Sequence, residues 1–325
     1  MLTYSVFLLT VWFLWPRELD SSGVGSGRAT VPDYFMVNAH YVSVKAGHLE
    51  VETNARQATF NLAAHRMTGR NIVAFVFNAQ DERTVISADR AVFHMDERVL
   101  QLNDNVSSLS PDGFLMESPE ATYQLNQRLL TASRSVHGQT FEKDVEVWGD
   151  RAVAPLDEKL VRLYGNARSL YHEAKRGPTK IRGEMAILDR EAAKVTFEKK
   201  VKVEQEKIEA SSETADLFYS SRDHGIRYMS LNGDVKITQG AGKYTRSQMA
   251  EFFAPTDSIV LTGFPAVYDG NDAVTGDKIT VYRATGVVEV TATNAAGAQL
   301  REKVKSTKQG EEKPVLNEED EELIP

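Results

Sequence analysis

A thirty-residue repeat constrains this chain more than any other feature of its sequence. A small or aliphatic anchor, then alternating apolar partners, a polar turn and a second apolar stretch, recurs at Ala58, Ala91, Ala121, Ala152, Ala186, Ala215, Ala250 and Ile279. The spacings are 33, 30, 31, 34, 29, 35 and 29 residues. Asp89 to Leu102 matches Asp150 to Leu163 type for type along nearly the whole stretch. A period near thirty, sustained over eight anchors, signals stacked supersecondary units that bury their apolar faces against their neighbours.

Within a unit the apolar positions recur every two residues, not at three and four, and that period is a strand's. Ala91, Phe93 and Met95 alternate with Val92 and His94, Ala121, Tyr123 and Leu125 alternate likewise, and Ile279 and Val281 flank Thr280. Polar turns such as Asp96-Glu97-Arg98, Asn126-Gln127-Arg128 and Asp157-Glu158-Lys159 separate the strands, so each unit reads as a β-hairpin. Gly165, Gly233 and Gly263 close second strands and are expected to turn the corner into the next unit. The predicted class is therefore all-β, with about sixteen antiparallel strands in eight hairpins over residues 45–297. Such a stack either packs its interior completely, as a structural rod, or stays open along one edge as a long apolar trough. Alternation alone does not choose between them.

The first fifteen residues, Met1 to Trp15, carry no charged side chain and run into Pro16 and Arg17. As a helix they reach about 22 Å, short of the ~30 Å hydrocarbon core of a bilayer. They read as an uncleaved membrane anchor or the apolar core of a cleaved signal, and the anchor is favoured because small-residue cleavage sites behind the run are poor. The glycines of Ser21 to Gly27 belong to a flexible tether; no strand precedes them and no helix follows, so they form no phosphate loop.

Composition removes several functions. With no cysteine there is no disulfide framework and no thiolate metal site, and a net charge of −8 disfavours general nucleic-acid binding. The seven histidines, His40, His48, His65, His94, His137, His172 and His224, show no i, i+2 or i, i+4 pairing, so no metal site is expected. Acid pairs such as Asp81-Glu82 and Asp96-Glu97 fall in turns, where solvated carboxylates are the ordinary case and no general acid is tuned. No catalytic residue and no cofactor is assigned. The last stretch holds Glu318, Glu319, Asp320, Glu321 and Glu322 with no base nearby and reads as a disordered tail.

Leu231-Asn232-Gly233-Asp234-Val235-Lys236-Ile237-Thr238-Gln239, Leu261-Thr262-Gly263-Phe264-Pro265-Ala266-Val267 and Gly276-Asp277-Lys278-Ile279-Thr280-Val281-Tyr282 resemble the strands of OstA-like domains. These are the periplasmic bridge proteins of the lipopolysaccharide-transport (Lpt) machinery. The anchor, tether and Ala58 to Val136 are similar in layout to LptC, and residues 140–297 resemble LptA. The resemblance implies an elongated open β-jellyroll, or β-taco, preceded by one apolar helix. The segments expected are an anchor at 1–16, a tether at 17–38, an LptC-like half at 39–140, a continuous LptA-like half at 141–298 and the acidic tail at 299–325.

The same resemblance implies transport of lipopolysaccharide, its lipid A acyl chains lying in an apolar groove. The direction would be from an inner-membrane ATP-binding-cassette (ABC) exporter at the N-terminal end to an LptA-like or outer-membrane LptD-like jellyroll at the C-terminal end. Candidate groove residues are Phe93, Met95, Leu100, Leu102, Tyr123, Leu125, Leu163, Leu188, Phe197, Leu217, Phe252, Leu261, Ile279 and Val281. Any one of them also fits an ordinary core position; the groove reading concerns the row. Open stacks expose a strand at each end, expected at about Ala39 to Val51 and at Val287 to Thr293, and Val42 and Val44 in the first with Val288 and Val290 in the second are the candidates for end-to-end pairing.

Overall fold

The structure, a computed structural model, describes residues 32–45, 47–78, 80–140, 145–172, 177–220, 225–240, 243–270, 272–293 and 299–305. The expected anchor, most of the tether and the acidic cluster of the tail lie outside the described residues. Among the described residues no helix is long and apolar enough to cross a membrane.

Among the described residues, twenty-two strands form one antiparallel sheet. The first eleven are β1 (Tyr34–Lys45), β2 (His48–Asn61), β3 (Arg66–Phe77), β4 (Arg83–His94), β5 (Val99–Leu109), β6 (Leu115–Gln124), β7 (Leu129–Ala132), β8 (Val136–Gln139), β9 (Val145–Gly149), β10 (Arg151–Pro155) and β11 (Leu160–Tyr171). The remainder are β12 (Thr179–Asp189), β13 (Lys194–Gln205), β14 (Ile208–Ser220), β15 (Gly225–Gln239), β16 (Lys243–Phe253), β17 (Ser258–Thr262), β18 (Ala266–Asp269), β19 (Asp272–Thr275), β20 (Lys278–Tyr282), β21 (Val287–Thr293) and β22 (Gln299–Lys305).

Several short strands are halves of one long strand. Strand β6 pairs with both β7 and β8, β11 with both β9 and β10, and β16 with both β17 and β18. Strands β19 and β20 divide in the same way against β18 and β17. Counted as long strands, sixteen run between His48 and Thr293, in line with two strands per thirty-residue unit.

The long strands bend in mid-course, and this corrects the expectation that the glycines end strands. Gly165 lies inside β11 at φ +70°, Gly233 inside β15 at +81°, and Gly263 between β17 and β18 at +76°. Register shifts mark the same place in β4, β5 and β11 to β15. Each bend folds the sheet into two walls. The first carries the turns at 62–65, 95–98, 125–128, 156–159, 190–193, 254–257 and 283–286. The second carries the turns at the opposite strand ends, among them 110–114 and 205–208.

Two devices explain why the repeat reads as it does. At the bend, Asn105 donates to Asp89 Oδ2 at 2.7 Å, and sixteen residues along its own unit Asn166 donates to Asp150 Oδ2 at 2.8 Å. Asp89 and Asp150 are the first residues of the aligned repeat segments, so the match encodes a clasp on each corner. In the first wall, successive turns are tied by backbone bonds: Met95 N to His65 O, Leu125 N to Arg98 O, Leu156 N to Arg128 O, Arg190 N to Lys159 O, Tyr219 N to Ala193 O, Ala254 N to Arg227 O and Arg283 N to Asp257 O, all between 2.9 and 3.1 Å. Turn stacks on turn from 62–65 to 190–193 and from 254–257 to 283–286, with Tyr219 of β14 and Arg227 of β15 making the bonds between the two runs.

The end strands differ from expectation. At the N-terminal end Ala39 to Val51 is not one strand: β2 starts at His48, and the edge is β1, which ends at Lys45. It begins at Tyr34, inside the expected tether. At the C-terminal end β21 pairs with β20 on one side and β22 on the other. Val288 and Val290 are therefore one strand in from the edge, and residues 299–305, expected in the tail, are strand. Val42 and Val44 lie on β1 with exposed side chains, beside exposed Tyr34, Phe35 and Val37.

Candidate functional site

The inner faces of the two walls meet in one hydrophobic cluster that runs from Val51 to Ile279. Tyr41 of the second wall packs on Phe93 of the first with ring centroids 5.7 Å apart, and the guanidinium of Arg190 lies 5.1 Å over the Phe114 ring. Apolar side chains pointing inward from both walls are removed from water together, which is what holds the bent sheet folded.

Phe93, Leu100, Leu102, Tyr123, Leu125, Leu163, Leu188, Phe197, Leu217, Phe252, Leu261 and Ile279 are all buried in that interior or beside it. Val281 is half-buried and packs against the cluster. Met95 stands apart: it sits in the turn after β4 and is 38% exposed, because the strand ends at His94 and the alternation ends with it. Every residue of the expected row lies on the first wall. Its counterpart on the second wall, including Ile86, Val106, Met116, Val147, Ile181 and Val203, is equally buried and was missed. The signal was hidden by the bend: in β14 the buried positions run Ala210, Ser212, then Ala215, Leu217, so the alternation changes phase in mid-strand.

The walls do not close equally along their length. In the middle, Tyr123, Phe197, Leu188 and Leu217 are fully buried. Toward the C-terminal end they part around a cavity of about 610 Å³, with Ile208, Ile237, Ile259, Leu261, Val267 and Val281 among its lining. A void of about 50 Å³ under Phe252, Ile226 and Met229 adjoins it. A second large space, about 710 Å³, lies at the rim between the turn at 110–114 and the turns at 156–159 and 190–193; its floor is Phe114, Met116 and Val161, and six carboxylates stand at its edge with Lys159 and Arg190.

Burial shifts the titration of the groups at this rim. Burial lowers the Arg190 pKa, against the opposing pull of Asp112, and burial pushes the Tyr219 hydroxyl up to about 12. Burial also raises Tyr123, whose hydroxyl has no hydrogen-bond partner among the described residues. Among the described residues no group of three or more histidine and carboxylate side chains is arranged to hold a metal ion. The fold does bring together two histidines that sequence spacing kept apart: His137 Nε2 and His172 Nε2 each lie 3.2 Å from Glu146, on the outer face.

The family profile for "Lipopolysaccharide-assembly, LptC-related" matches residues 3–172, just over half of the chain. The chain belongs to this LptC-related family. A second profile, "LptA/(LptD N-terminal domain) LPS transport protein", matches residues 180–287. The LptC-related and LptA/LptD-type segments meet where β11 and β12 pair on both sides of the bend, from Leu160 opposite Asp189 to Tyr171 opposite Thr179, with one register shift between Tyr164 and Ala167. The sheet is thus continuous across the two. No curated protein matches the chain. Among solved structures, LptH, the LptA-homologous periplasmic component of the lipopolysaccharide transport device of Pseudomonas aeruginosa, aligns at 16% identity and a TM-score of 0.33, over 40% of this chain and 96% of its own.

Proposed function

We propose that this LptC-related chain is a periplasmic bridge that carries lipopolysaccharide with its lipid A acyl chains between the two walls. The observation that carries the reading is a single apolar interior, continuous through an LptC-type and an LptA/LptD-type segment, that opens toward the C-terminal end into a cavity of about 610 Å³. Each methylene removed from water there gains about 0.8 kcal/mol, and a row of shallow apolar contacts with no deep polar trap lets a chain move along. The N-terminal segment anchors the protein in the inner membrane beside an ABC exporter, which engages the β1 end. An LptA-like or LptD-like jellyroll takes the lipid from the C-terminal end. No nucleic acid, cofactor or catalysis enters this role.

The packed middle of the interior favours a second reading, a structural rod without cargo. Photo-crosslinkers at Leu261 and Val281, compared with outward-facing Val92 and Gln101, separate the two in cells. Capture of lipopolysaccharide from the inner pair supports the bridge. Capture from the outer pair alone, or from none, leaves the rod.

A further inference from the structure

Four arginines occupy turns of the first wall and each reaches across the open edge to the second. Arg98 pairs with Glu50, 48 residues away. Arg128 donates to the carbonyl of Phe77, and Arg190 to both carboxylate oxygens of Asp112, at 2.5 and 2.7 Å. Arg283 donates to Gln205 Oε1 at 3.4 Å. Neighbouring turns of one wall are two strands apart, about 10 Å, so the four crossings stand about 10, 20 and 30 Å from one to the next along the rim. The first three span the part of the interior that is closed, and the fourth stands at the mouth of the C-terminal cavity.

An amphiphile whose chains lie between the walls has its head group at this rim, because that is where the interior meets water. Guanidinium binds phosphate through two parallel hydrogen bonds at least as well as it binds a carboxylate or a carbonyl. Arg190 has a donor to spare, since its buried Nε makes no hydrogen bond, and it borders the 710 Å³ rim space. The closed interior also leaves the Tyr123 hydroxyl unpaired, a cost that opening removes.

We propose that Arg98, Arg128, Arg190 and Arg283 form a releasable seam and a series of phosphate subsites. Phosphates of a bound amphiphile replace Glu50, the Phe77 carbonyl, Asp112 and Gln205 as acceptors, so the walls part where the head group sits and rejoin behind it. The inference rests on the carrier reading above, and it explains how a packed interior admits cargo.

The chain has no cysteine, so a Gln80→Cys, Glu158→Cys pair on opposite rims takes spin labels at those sites alone. In the full-length protein a single short separation is expected. Dodecyl phosphate should move it to a long one, while dodecyl maltoside, with the same alkyl chain and no charge, should not. Arg128→Ala with Arg190→Ala should show the long separation with nothing added. Arg128→Lys with Arg190→Lys, which keeps the charge and loses the fork, should fold and need more dodecyl phosphate to open. A short separation unchanged in the alanine pair, or equal opening by the two detergents, overturns the seam. Retention of dodecyl phosphate on gel filtration with an unmoved seam overturns the exchange alone; retention of neither detergent by a protein whose alanine pair opens overturns the exchange together with the carrier reading.

Discussion

Arg190 Nη1 lies 2.7 Å from Asp112 Oδ2, although the two residues are 78 positions apart and sit on opposite walls of the bent sheet. The arginine side chain is 10% exposed and the aspartate 30%. Arg190→Ala leaves a half-buried carboxylate without its partner and removes the cover over Phe114. It should cost about 1–3 kcal/mol in urea unfolding. Asp112→Asn should cost less, and a double-mutant cycle should show coupling between the two.

The closed middle and the open end should respond differently to truncation. Phe197→Ala removes a fully buried ring and should cost about 3–5 kcal/mol. Val281→Ala, at the half-buried edge of the C-terminal cavity, should cost on the order of 1 kcal/mol. Equal losses in denaturant melts would mean that the C-terminal interior is as tightly packed as the middle.

The bends depend on a left-handed backbone. A Cβ at Gly233, where φ is +81°, would come 2.6 Å from the Glu213 carboxylate, whereas Gly240, at φ +61°, has open space around it. Both alanine variants incur the cost of the left-handed conformation, about 1–2 kcal/mol. Gly233→Ala should lose more, and Glu213→Ala should recover only part of the difference when the two melting curves are compared, because its own Cβ still stands 2.8 Å away.

At the β1 edge, alternate residues point their backbone groups toward β2 and away from it. Proline at Val42 and proline at Ser43 should therefore act in opposite ways. One breaks the β1–β2 ladder and lowers the melting temperature. The other leaves the ladder intact and weakens only end-to-end association, read by sedimentation. Loss of association without loss of stability in neither variant would show that the edge does not pair.

Burial raises the Glu146 pKa, but hydrogen bonds from His172 and His137 outweigh it and hold the carboxyl below its ordinary value. A carboxyl whose folded pKa is depressed contributes stability above its unfolded pKa, about 4.3, and loses it as pH falls through the lower folded value. The melting-temperature gap between the wild type and Glu146→Gln should therefore be full at pH 6 and shrink below pH 4.

The sequence alone determined the class, the strand count and the continuity of this protein. Two-residue alternation and a thirty-residue period are local properties of a chain, and Asp89 and Asp150 could be matched before their partners Asn105 and Asn166 were known. What it did not disclose was which way the strands fold over. A bend inserts residues such as Asp104 and Asn105, both at positive φ, that interrupt the alternation, so a row traced from Phe93 to Val281 stays on one wall and misses Ile86, Val147 and Val203 opposite. Contacts across the rim join residues up to 78 positions apart, with nothing in the intervening sequence to announce them. Only the folded sheet decides that Arg190 faces Asp112, because that meeting depends on the summed geometry of every bend between them.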